Sequence, residues 1–277
     1  FLASGLYGDH PYGRAATASS VRAITRDDLI DFHKTRVRPQ GAVLVVAGDI
    51  TMPTLKTLAT KGFAGRTGAV AATPSLPAPP TRTRTEIVLV HRPGSVQANL
   101  LVGNLAMTPT DPLRYAATVA NRVVGGGAAA RLFMTLREQK GWTYGAYSDL
   151  SRPRGVGQFT ANTEVRTEVT DSALVELLAQ LRRIDTELIP AEELAKAKES
   201  LMGVFPLTIE TPRQLAERVA AVKLYGLPND YLQTYRTRIG AVTAVQARTA
   251  AQKAIRPNEA LVVVVGDGAK LHARLEA

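Results

Sequence analysis

An internal repeat at one constant spacing constrains the fold of this 277-residue chain more than any other feature. Short groups of identical residues recur 218 positions later, without insertion or deletion between them. The matching pairs are Leu6-Tyr7-Gly8 with Leu224-Tyr225-Gly226, Thr25 with Thr243, Arg38-Pro39 with Arg256-Pro257, Ala42 with Ala260, Val45-Val46 with Val263-Val264, and Gly48-Asp49 with Gly266-Asp267. Two apolar strands can look alike by chance, but chance would not keep one spacing at the Tyr-Gly, Thr and Arg-Pro positions too. The chain therefore contains parts of two homologous units.

The repeat predicts a domain organisation. The second unit begins near Glu86, so the first would begin about 130 residues before Phe1. Residues 1–65 are then the C-terminal part of a first domain, and residues 85–277 are a complete second domain. Residues 66–84 are rich in Pro, Thr and Ala, which is typical of an extended linker. The alternative is a self-contained N-terminal domain, but a helix pair with one strand is too small to enclose a core.

Local patterns predict the elements of both units. Before the linker we expect a helix at 26–37 with a Thr25–Asp28 capping box, a buried strand at 42–47 and a helix at 53–63. After it we expect strands at 86–90 and 96–105 joined by a turn at 92–95, helices at 112–124 and 128–140, strands at 143–150 and 157–164, helices at 169–188, 191–205, 212–224, 230–239 and 245–255, and a last strand at 261–265. Hairpins followed by runs of helices favour an α+β fold with a sheet layered against helices.

Composition excludes several classes of protein. The chain has no cysteine, so it has no disulfide, thiolate zinc site or cysteine nucleophile. No apolar run approaches the roughly 20 residues that cross a bilayer. The net charge of +10 is dispersed, and the densest basic stretches, at 81–84, 152–154 and 235–238, are shorter than the basic arms that bind nucleic acid. We therefore predict neither a membrane span nor a nucleic-acid partner.

The four histidines do not form a recognisable catalytic motif. His10, His33, His91 and His272 fit neither H-E-x-x-H nor H-x-x-E-H, and the chain has no G-x-S-x-G elbow or phosphate-binding loop. His10 lies in a turn-rich loop, where it could contact a ligand or simply pack, and His33 is expected to be a surface or packing residue on its helix. The sequence predicts no metal site in this chain.

Residues 123–148 have the strongest chemical character. Gly125-Gly126-Gly127 allow close backbone approach and positive φ, and they lead into a helix whose first amides can bind carboxylate or carbonyl oxygens. Arg137 lies near the end of that helix and Tyr144 begins the next strand, so both side chains could reach one cleft. The alternative is purely structural: the glycines end a helix, Arg137 pairs with Glu138, and Tyr144 packs in the sheet.

This segment resembles the second-domain signature of the pitrilysin (insulinase-like) family of zinc metallopeptidases, of the bacterial and mitochondrial-processing-peptidase type. The shared elements are a Gly-rich turn, a small-Arg-Leu-Phe helix, Leu-Arg-Glu, a Gly, and a Tyr seven residues after the Arg. They correspond to Gly125–Gly127, Arg131-Leu132-Phe133, Leu136-Arg137-Glu138, Gly141 and Tyr144. His10-Pro11-Tyr12-Gly13 and the two Gly-Asp strand ends also agree, so the resemblance spans almost the whole chain.

The resemblance implies a fold and a site. In that family of inverzincins, two homologous domains of antiparallel sheet layered against helices face each other like a clamshell, and the first carries zinc on H-x-x-E-H. Zinc would then belong to the parent protein or a partner chain, and none to this chain. Arg137 and Tyr144 would be catalytic, the guanidinium holding a substrate carbonyl and the phenol donating to the developing oxyanion. Gly125, Gly126 and Gly127 would contact the peptide substrate.

Three kinds of parent protein fit this resemblance. The chain could be the C-terminal part of a zinc endopeptidase, the non-catalytic subunit of a two-chain peptidase, or a structural core subunit of a larger assembly. The expected partners are a peptide substrate and a second copy or a zinc-bearing homologous subunit. Analogy with bacterial relatives implies a periplasmic location, and a cytoplasmic one is also compatible with the sequence.

Overall fold

The computed structural model describes residues 1–65 and 75–276. The first range contains helices α1 (Leu2–Tyr7), α2 (Ala18–Arg22), α3 (Arg26–Arg36) and α4 (Met52–Gly62). The second range contains, in chain order, strands β1 (Glu86–His91) and β2 (Gln97–Leu105), helices α5 (Arg114–Val124) and α6 (Arg131–Phe133), strands β3 (Thr143–Leu150) and β4 (Gln158–Arg166), helices α7 (Thr170–Thr186), α8 (Ala191–Val204), α9 (Pro212–Leu224), α10 (Tyr231–Gly240) and α11 (Ala244–Ala254), strand β5 (Leu261–Gly266) and helix α12 (Gly268–Glu276). Helices α1, α2 and α12 are additions to the predicted set.

Five strands form one sheet in the order β1-β5-β2-β4-β3. Strand β5 runs parallel to β1 and antiparallel to β2, and the β2–β4 and β4–β3 pairs are antiparallel. The last strand in sequence therefore lies between the first two, so the turn at 92–95 joins strands that are not neighbours in the sheet. The predicted α+β class is confirmed, with one parallel pair in an otherwise antiparallel sheet.

One face of the sheet is buried under helices. Alternate residues of β2, Ala98, Leu100 and Val102, are buried on this face. They belong to one continuous core with Val119 of α5 and Leu177 of α7, both fully buried. This period-two burial is what an antiparallel sheet with a single covered face requires, and it leaves the opposite face free for other contacts.

The opposite face is covered at one end by the N-terminal helix. Leu2 and Leu6 of α1 are buried against Leu261 and Val263 of β5. Gly103 of β2 permits this contact, since a Cβ there would come 3.0 Å from a methyl carbon of Leu2. The first residues of the chain are thus part of the packing of the sheet.

A short aromatic segment after α1 fixes that helix to the β3–β4 connection. Tyr7 Oη donates a hydrogen bond to the carbonyl of Val156 at 2.9 Å, and the amide of Gly155 donates to Tyr12 Oη at 3.2 Å. His10 is buried, and its Nδ1 accepts a hydrogen bond from the Tyr12 amide at 3.0 Å. The structure gives this segment a packing role.

The repeat appears in the structure as helices at equivalent positions. The bounds of α3 and α11 are 218 positions apart at both ends. Each of these helices begins with a capping box, built on Thr25 or Thr243, which confirms the predicted box at Thr25. Gly8 and Gly226 are also equivalent, with φ of 55° and 64°, a left-handed conformation that favours glycine.

The prediction of a buried strand at 42–47 is wrong. These residues are extended, no strand lies beside them within the described ranges, and Val43, Leu44 and Val46 are 43% to 54% exposed. The equivalent run, β5, is buried because β1 and β2 pair with both of its edges. A β-branched run forms a strand only where a neighbour completes the hydrogen-bond ladder.

The predicted linker is only partly described. Residues 66–74 lie outside the described residues, and residues 75–84 contain no helix or strand. At the end of this segment, Arg82 pairs with Glu86 and donates a hydrogen bond to the carbonyl of Gly5 at 2.8 Å. The division of the chain at 65 and 85 stays a prediction.

Among the described residues, no helix has the length and apolar character that a membrane span needs.

Candidate functional site

A groove of about 430 Å³ lies on the open face of the sheet, at the end that α1 does not cover. Its floor is formed by Gln97, Asn99 and Leu101 of β2, and the register places Asn99 opposite Glu164 and Leu101 opposite Asn162. A second cavity of about 330 Å³ shares Gln97, Asn99 and Glu164 and extends the groove over the 92–96 turn. The two form one continuous depression on the sheet.

The floor of the groove carries polar groups without partners. The side chains of Gln97, Asn99 and Asn162 make no hydrogen bond within the described part of the chain. Each side-chain amide offers an N–H₂ donor and a carbonyl acceptor, which is the same pair of groups that a peptide backbone presents. The groove can therefore bind an extended chain through complementary hydrogen bonds.

Tyr144 stands in this groove because β3 is irregular there. Between Thr143 and Ala146 the register slips, since these residues pair with Val165 and Thr163 and one more residue lies on β3 than on β4. Such bulges change the direction of a side chain at the edge of a sheet. Tyr144 lines the groove and is 90% exposed.

Gly145 makes room for a second aromatic ring. Its carbonyl accepts hydrogen bonds from the hydroxyls of Thr143 at 2.9 Å and Thr163 at 3.0 Å, which fix the bulge. A Cβ on Gly145 would come 2.6 Å from the ring of Tyr147. The Tyr147 ring therefore lies close to the backbone of Gly145, and it lines the groove together with Tyr144.

The helix predicted at 128–140 begins later and changes type. It starts at Arg131 and continues beyond Phe133 as a π-helix over Met134–Gln139, in which the Lys140 amide bonds to the Thr135 carbonyl at 3.0 Å. The residues before Arg131 are held in the turn that follows the three glycines, which delays the helix start. π-Helical turns are rare and frequently occur at functional sites.

Arg137 lies on this π-helix and is only weakly held. Its side chain is 46% exposed, and its Nε lies 3.7 Å from a carboxylate oxygen of Glu138. Its guanidinium carbon lies 4.8 Å from the centre of the Phe133 ring, a cation–π contact. The pairing with Glu138 that the structural alternative expects is present, but an ion pair this exposed contributes little to stability.

Arg137 and Tyr144 are linked through two aromatic rings. Arg137 rests on Phe133, and the Phe133 ring lies 5.6 Å from the ring of Tyr147, which shares the groove with Tyr144. No hydrogen bond, ion pair or ring contact joins Arg137 to Tyr144 directly among the described residues. The structure thus places Tyr144 in the groove, and it connects Arg137 to the groove through the rings of Phe133 and Tyr147.

The three glycines pack the end of α5 against β3. The Gly125 carbonyl accepts a hydrogen bond from the Ser148 amide at 2.9 Å, and a Cβ on Gly125 would come 2.5 Å from that nitrogen. Gly126 and Gly127 lie against Arg122, and a Cβ on Gly126 would come 2.8 Å from its Cα. The expected close approach is present, whereas none of the three has positive φ. They line neither cavity of the groove, and a contact with substrate stays a prediction.

Sequence reasoning missed most of the groove around Tyr144. The alternation of Gln97 and Asn99 with buried Ala98 and Leu100 is a signal that could have identified an open polar face. Tyr147 has the same signal, since it alternates with buried residues of β3. The π-helix has no such signal in the sequence.

The described residues do not fit a zinc site. No three side chains of His, Asp or Glu come close enough together among them to hold a metal ion. His10 is committed to its packing contacts, and His33 is exposed on α3. We therefore derive no chemical step through zinc from the residues of this chain.

Comparisons with known proteins agree with this geometry. The family model described as the peptidase M16 inactive domain matches residues 23–201. An uncharacterized zinc protease of Streptomyces coelicolor is 26% identical over 271 residues, which cover 95% of this chain and 59% of the relative. One of Mycobacterium leprae is 30% identical over 237 residues, which cover 82% and 52%. The chain thus spans little more than half the length of these two relatives.

Solved structures share the fold. The crystal structure of a peptidase M16 inactive domain from Pseudomonas fluorescens superposes with a TM-score of 0.88 at 26% identity, covering 96% of this chain and 63% of that one. A protease from Helicobacter pylori has a TM-score of 0.85 at 18% identity, covering 94% and 64%, and shows likeness of fold alone. The family resemblance drawn from the sequence is confirmed: this chain belongs to the peptidase M16 family and matches its inactive domain.

Proposed function

We propose that this chain is the C-terminal part of a zinc endopeptidase and that its second, non-zinc domain holds the peptide substrate in the groove on its open sheet face. The observation that carries the proposal is Tyr144, 90% exposed in a groove whose side-chain amides have no partners within the described residues. The relatives named zinc proteases support proteolysis as the reaction of the whole protein.

Tyr144 and Arg137 have distinct roles in this proposal. The Tyr144 hydroxyl donates a hydrogen bond to the carbonyl oxygen of the scissile bond as negative charge develops there. Arg137, held only by Glu138 and the Phe133 ring, turns toward a neighbouring substrate carbonyl and binds it with a charge-assisted hydrogen bond. The floor amides keep the peptide extended along the sheet. The proposal does not depend on substrate contacts of Gly125, Gly126 or Gly127.

In this proposal the zinc ion is not bound by the residues of this chain. It is held by the parent protein or by a partner, which is a second copy or a zinc-bearing homologous subunit, and the groove faces it across the clamshell. The relatives are longer than this chain, which is compatible with a further zinc-bearing domain. A periplasmic location is proposed from the family resemblance alone.

The test combines metal content, activity and peptide binding in the full-length protein. We expect one zinc per chain by elemental analysis, and cleavage of an unstructured fluorescent peptide that stops with chelator and returns with zinc. Absence of zinc and of cleavage in a protein of verified intact mass would assign catalysis to a partner chain, with this chain as the non-catalytic subunit. Absence of peptide binding by fluorescence anisotropy would overturn the role of the groove itself.

A further inference from the structure

Two connected cavities lie among the helices, apart from the groove. They measure about 250 Å³ and 190 Å³, and both are lined by Arg152, Arg218 and Tyr231. Arg122 lines the larger cavity and Arg114 the smaller, and no acidic residue lines either one. We call this pair of cavities, with its four arginines, the arginine cavity. It shares no lining residue with the groove.

Arg152 is partly buried and lines both cavities. It donates hydrogen bonds to the carbonyl of Arg114 at 3.3 Å and to Thr118 Oγ1 at 2.9 Å, and both of these acceptors are uncharged. Burial lowers the pKa of Arg152, whereas Tyr231, Tyr235 and Asp149 act in the opposite direction, and the charge of Arg114 lowers it slightly further. Asp149 lies outside both linings. An enclosed guanidinium ordinarily has a carboxylate partner, and this one has none within the described residues.

Other hydrogen-bond donors around the cavity are also unused. Arg114 Nε is buried without a partner, and Arg218 makes no hydrogen bond or ion pair in the described part of the chain. Tyr231 and Tyr235 contribute phenol groups whose pKa is raised by burial, that of Tyr235 to about 12, so both stay protonated donors at neutral pH. The cavity therefore presents several N–H and O–H groups and an uncompensated positive charge.

One wall of the cavity is a rigid aromatic surface. The Tyr235 ring stacks on Phe205 with centres 4.4 Å apart, and the Tyr231 ring stacks on Tyr115 with centres 6.0 Å apart. Arg114 lies over the face of Tyr115, with its guanidinium carbon 4.4 Å from the ring centre. A ligand with an apolar or planar group could therefore contact this wall while its charged group meets the arginines.

We propose that the arginine cavity binds a phosphate dianion, with Arg152 and Arg218 as its principal ligands. A phosphate group carries up to two negative charges and three strong acceptor oxygens, which match planar guanidinium groups and phenol donors. A single carboxylate would leave most of the positive charge of four arginines uncompensated. The dianion is either free phosphate or the head of a small phosphomonoester whose organic part lies on the aromatic wall.

The test is calorimetric titration of the full-length protein with inorganic phosphate and with phenyl phosphate, and with acetate at equal ionic strength as the comparison. We expect saturable binding of phosphate and none of acetate. Tighter binding of phenyl phosphate would identify a phosphomonoester as the ligand, and equal binding would identify free phosphate. Arg218→Gln should weaken phosphate binding at least about tenfold.

A matched variant controls for general charge. Arg213 lies on the same helix, α9, pairs with Glu217 and lines neither cavity, so Arg213→Gln should leave phosphate affinity unchanged. Arg218 is exposed, so its substitution is expected to leave the melting temperature unchanged. Three results would overturn the proposal. The first is no saturable heat with inorganic phosphate or phenyl phosphate, and the second is acetate binding as tight as phosphate binding. The third is an equal loss of phosphate affinity in Arg218→Gln and Arg213→Gln.

Discussion

Arg131 and Glu193 form a two-point ion pair that joins α6 to α8. Arg131 Nε donates to Glu193 Oε1 at 2.8 Å, and its Nη2 donates to Oε2 at 2.7 Å. The Arg131 side chain is 8% exposed. The arginine of the small-Arg-Leu-Phe motif is therefore buried in a structural contact, and it anchors the start of the helix on which Arg137 lies.

Loss of this ion pair should destabilise the fold. We expect Arg131→Ala to lower the free energy of unfolding by about 2–3 kcal/mol, because it leaves the Glu193 carboxylate unpaired and opens space beneath it. The loss stays below that of a fully buried pair because water reaches Glu193, which is 31% exposed. Arg183→Ala is the control: it removes an exposed pair with Glu187 and should cost less than about 1 kcal/mol. If urea unfolding gave the same loss of unfolding free energy for Arg131→Ala and Arg183→Ala, the structural role of the Arg131–Glu193 pair would be contradicted.

The glycine turn should be intolerant of a methyl group. Gly125→Ala would place a Cβ 2.5 Å from the Ser148 nitrogen, so the end of α5 and strand β3 must move apart. We expect a loss of about 1–3 kcal/mol. Gly203→Ala is the matched control, since nothing lies within 4 Å of its Cβ position in α8 and alanine favours the helix by about 0.5–1 kcal/mol. Thermal unfolding should therefore move in opposite directions in the two variants, and a common direction would contradict this prediction.

The elements that the sequence predicts well are those determined by local patterns. Thr25 with Asp28, and Thr243 in the repeat, start their helices through side-chain contacts three residues apart, so their caps can be read from adjacent residues. The apolar run from Val43 to Val46 is locally as strand-like as β5. It differs only in having no neighbouring strand within the described residues, and that information is not local.

The candidate site likewise combines features that local sequence patterns predict with features that they do not. The spacing of Arg137 and Tyr144 could be recognised from the family pattern, and the alternation along β2 could have predicted its polar face. The bulge at Gly145 depends on a hydrogen bond from Thr163, and the arginine cavity depends on Arg152 and Arg218 lining the same space. Contacts between residues so distant in sequence leave no periodic or spaced pattern that could be read in advance.

The buried phenols should make the protein sensitive to alkali. Burial raises the pKa of Tyr235 from its ordinary value of 10.0 to about 12 and raises that of Tyr231 as well. Between these values the unfolded chain releases the proton while the folded chain keeps it, so stability is complete below pH 10 and falls as the pH rises toward about 12. In an ultraviolet titration of tyrosine ionisation, Tyr235→Phe should remove the most alkaline step. An unchanged titration curve in Tyr235→Phe would contradict the assignment of the most alkaline step to Tyr235.

Arg137 can be tested separately from its ion-pair partner. In the full-length protein, Arg137→Ala should lower turnover roughly 10²-fold, because it removes the proposed charged hydrogen bond to the substrate. It should leave the melting temperature unchanged, since the side chain is 46% exposed. Arg137→Lys should restore only part of the turnover, since the lysine ammonium keeps the positive charge but not the rigid, planar donor geometry of the guanidinium. Glu138→Ala keeps the guanidinium and should keep turnover. A similar loss in Glu138→Ala would mean that the ion pair, and not the guanidinium, is required.

Tyr144 and Tyr147 provide the sharpest comparison, because both line the groove and only one is proposed to act in the reaction. Tyr144 is 90% exposed, so Tyr144→Phe removes a hydroxyl without disturbing the packing, and kcat should fall roughly 10²-fold with little change in KM, the pattern of an interaction made in the transition state. Tyr147, 44% exposed, rests on Phe133, and Tyr147→Phe should keep kcat near that of the unmodified enzyme. Equal losses of kcat in the two variants would show that the groove needs both hydroxyls. Full activity in Tyr144→Phe would mean that Tyr144 only lines the groove and takes no part in the reaction.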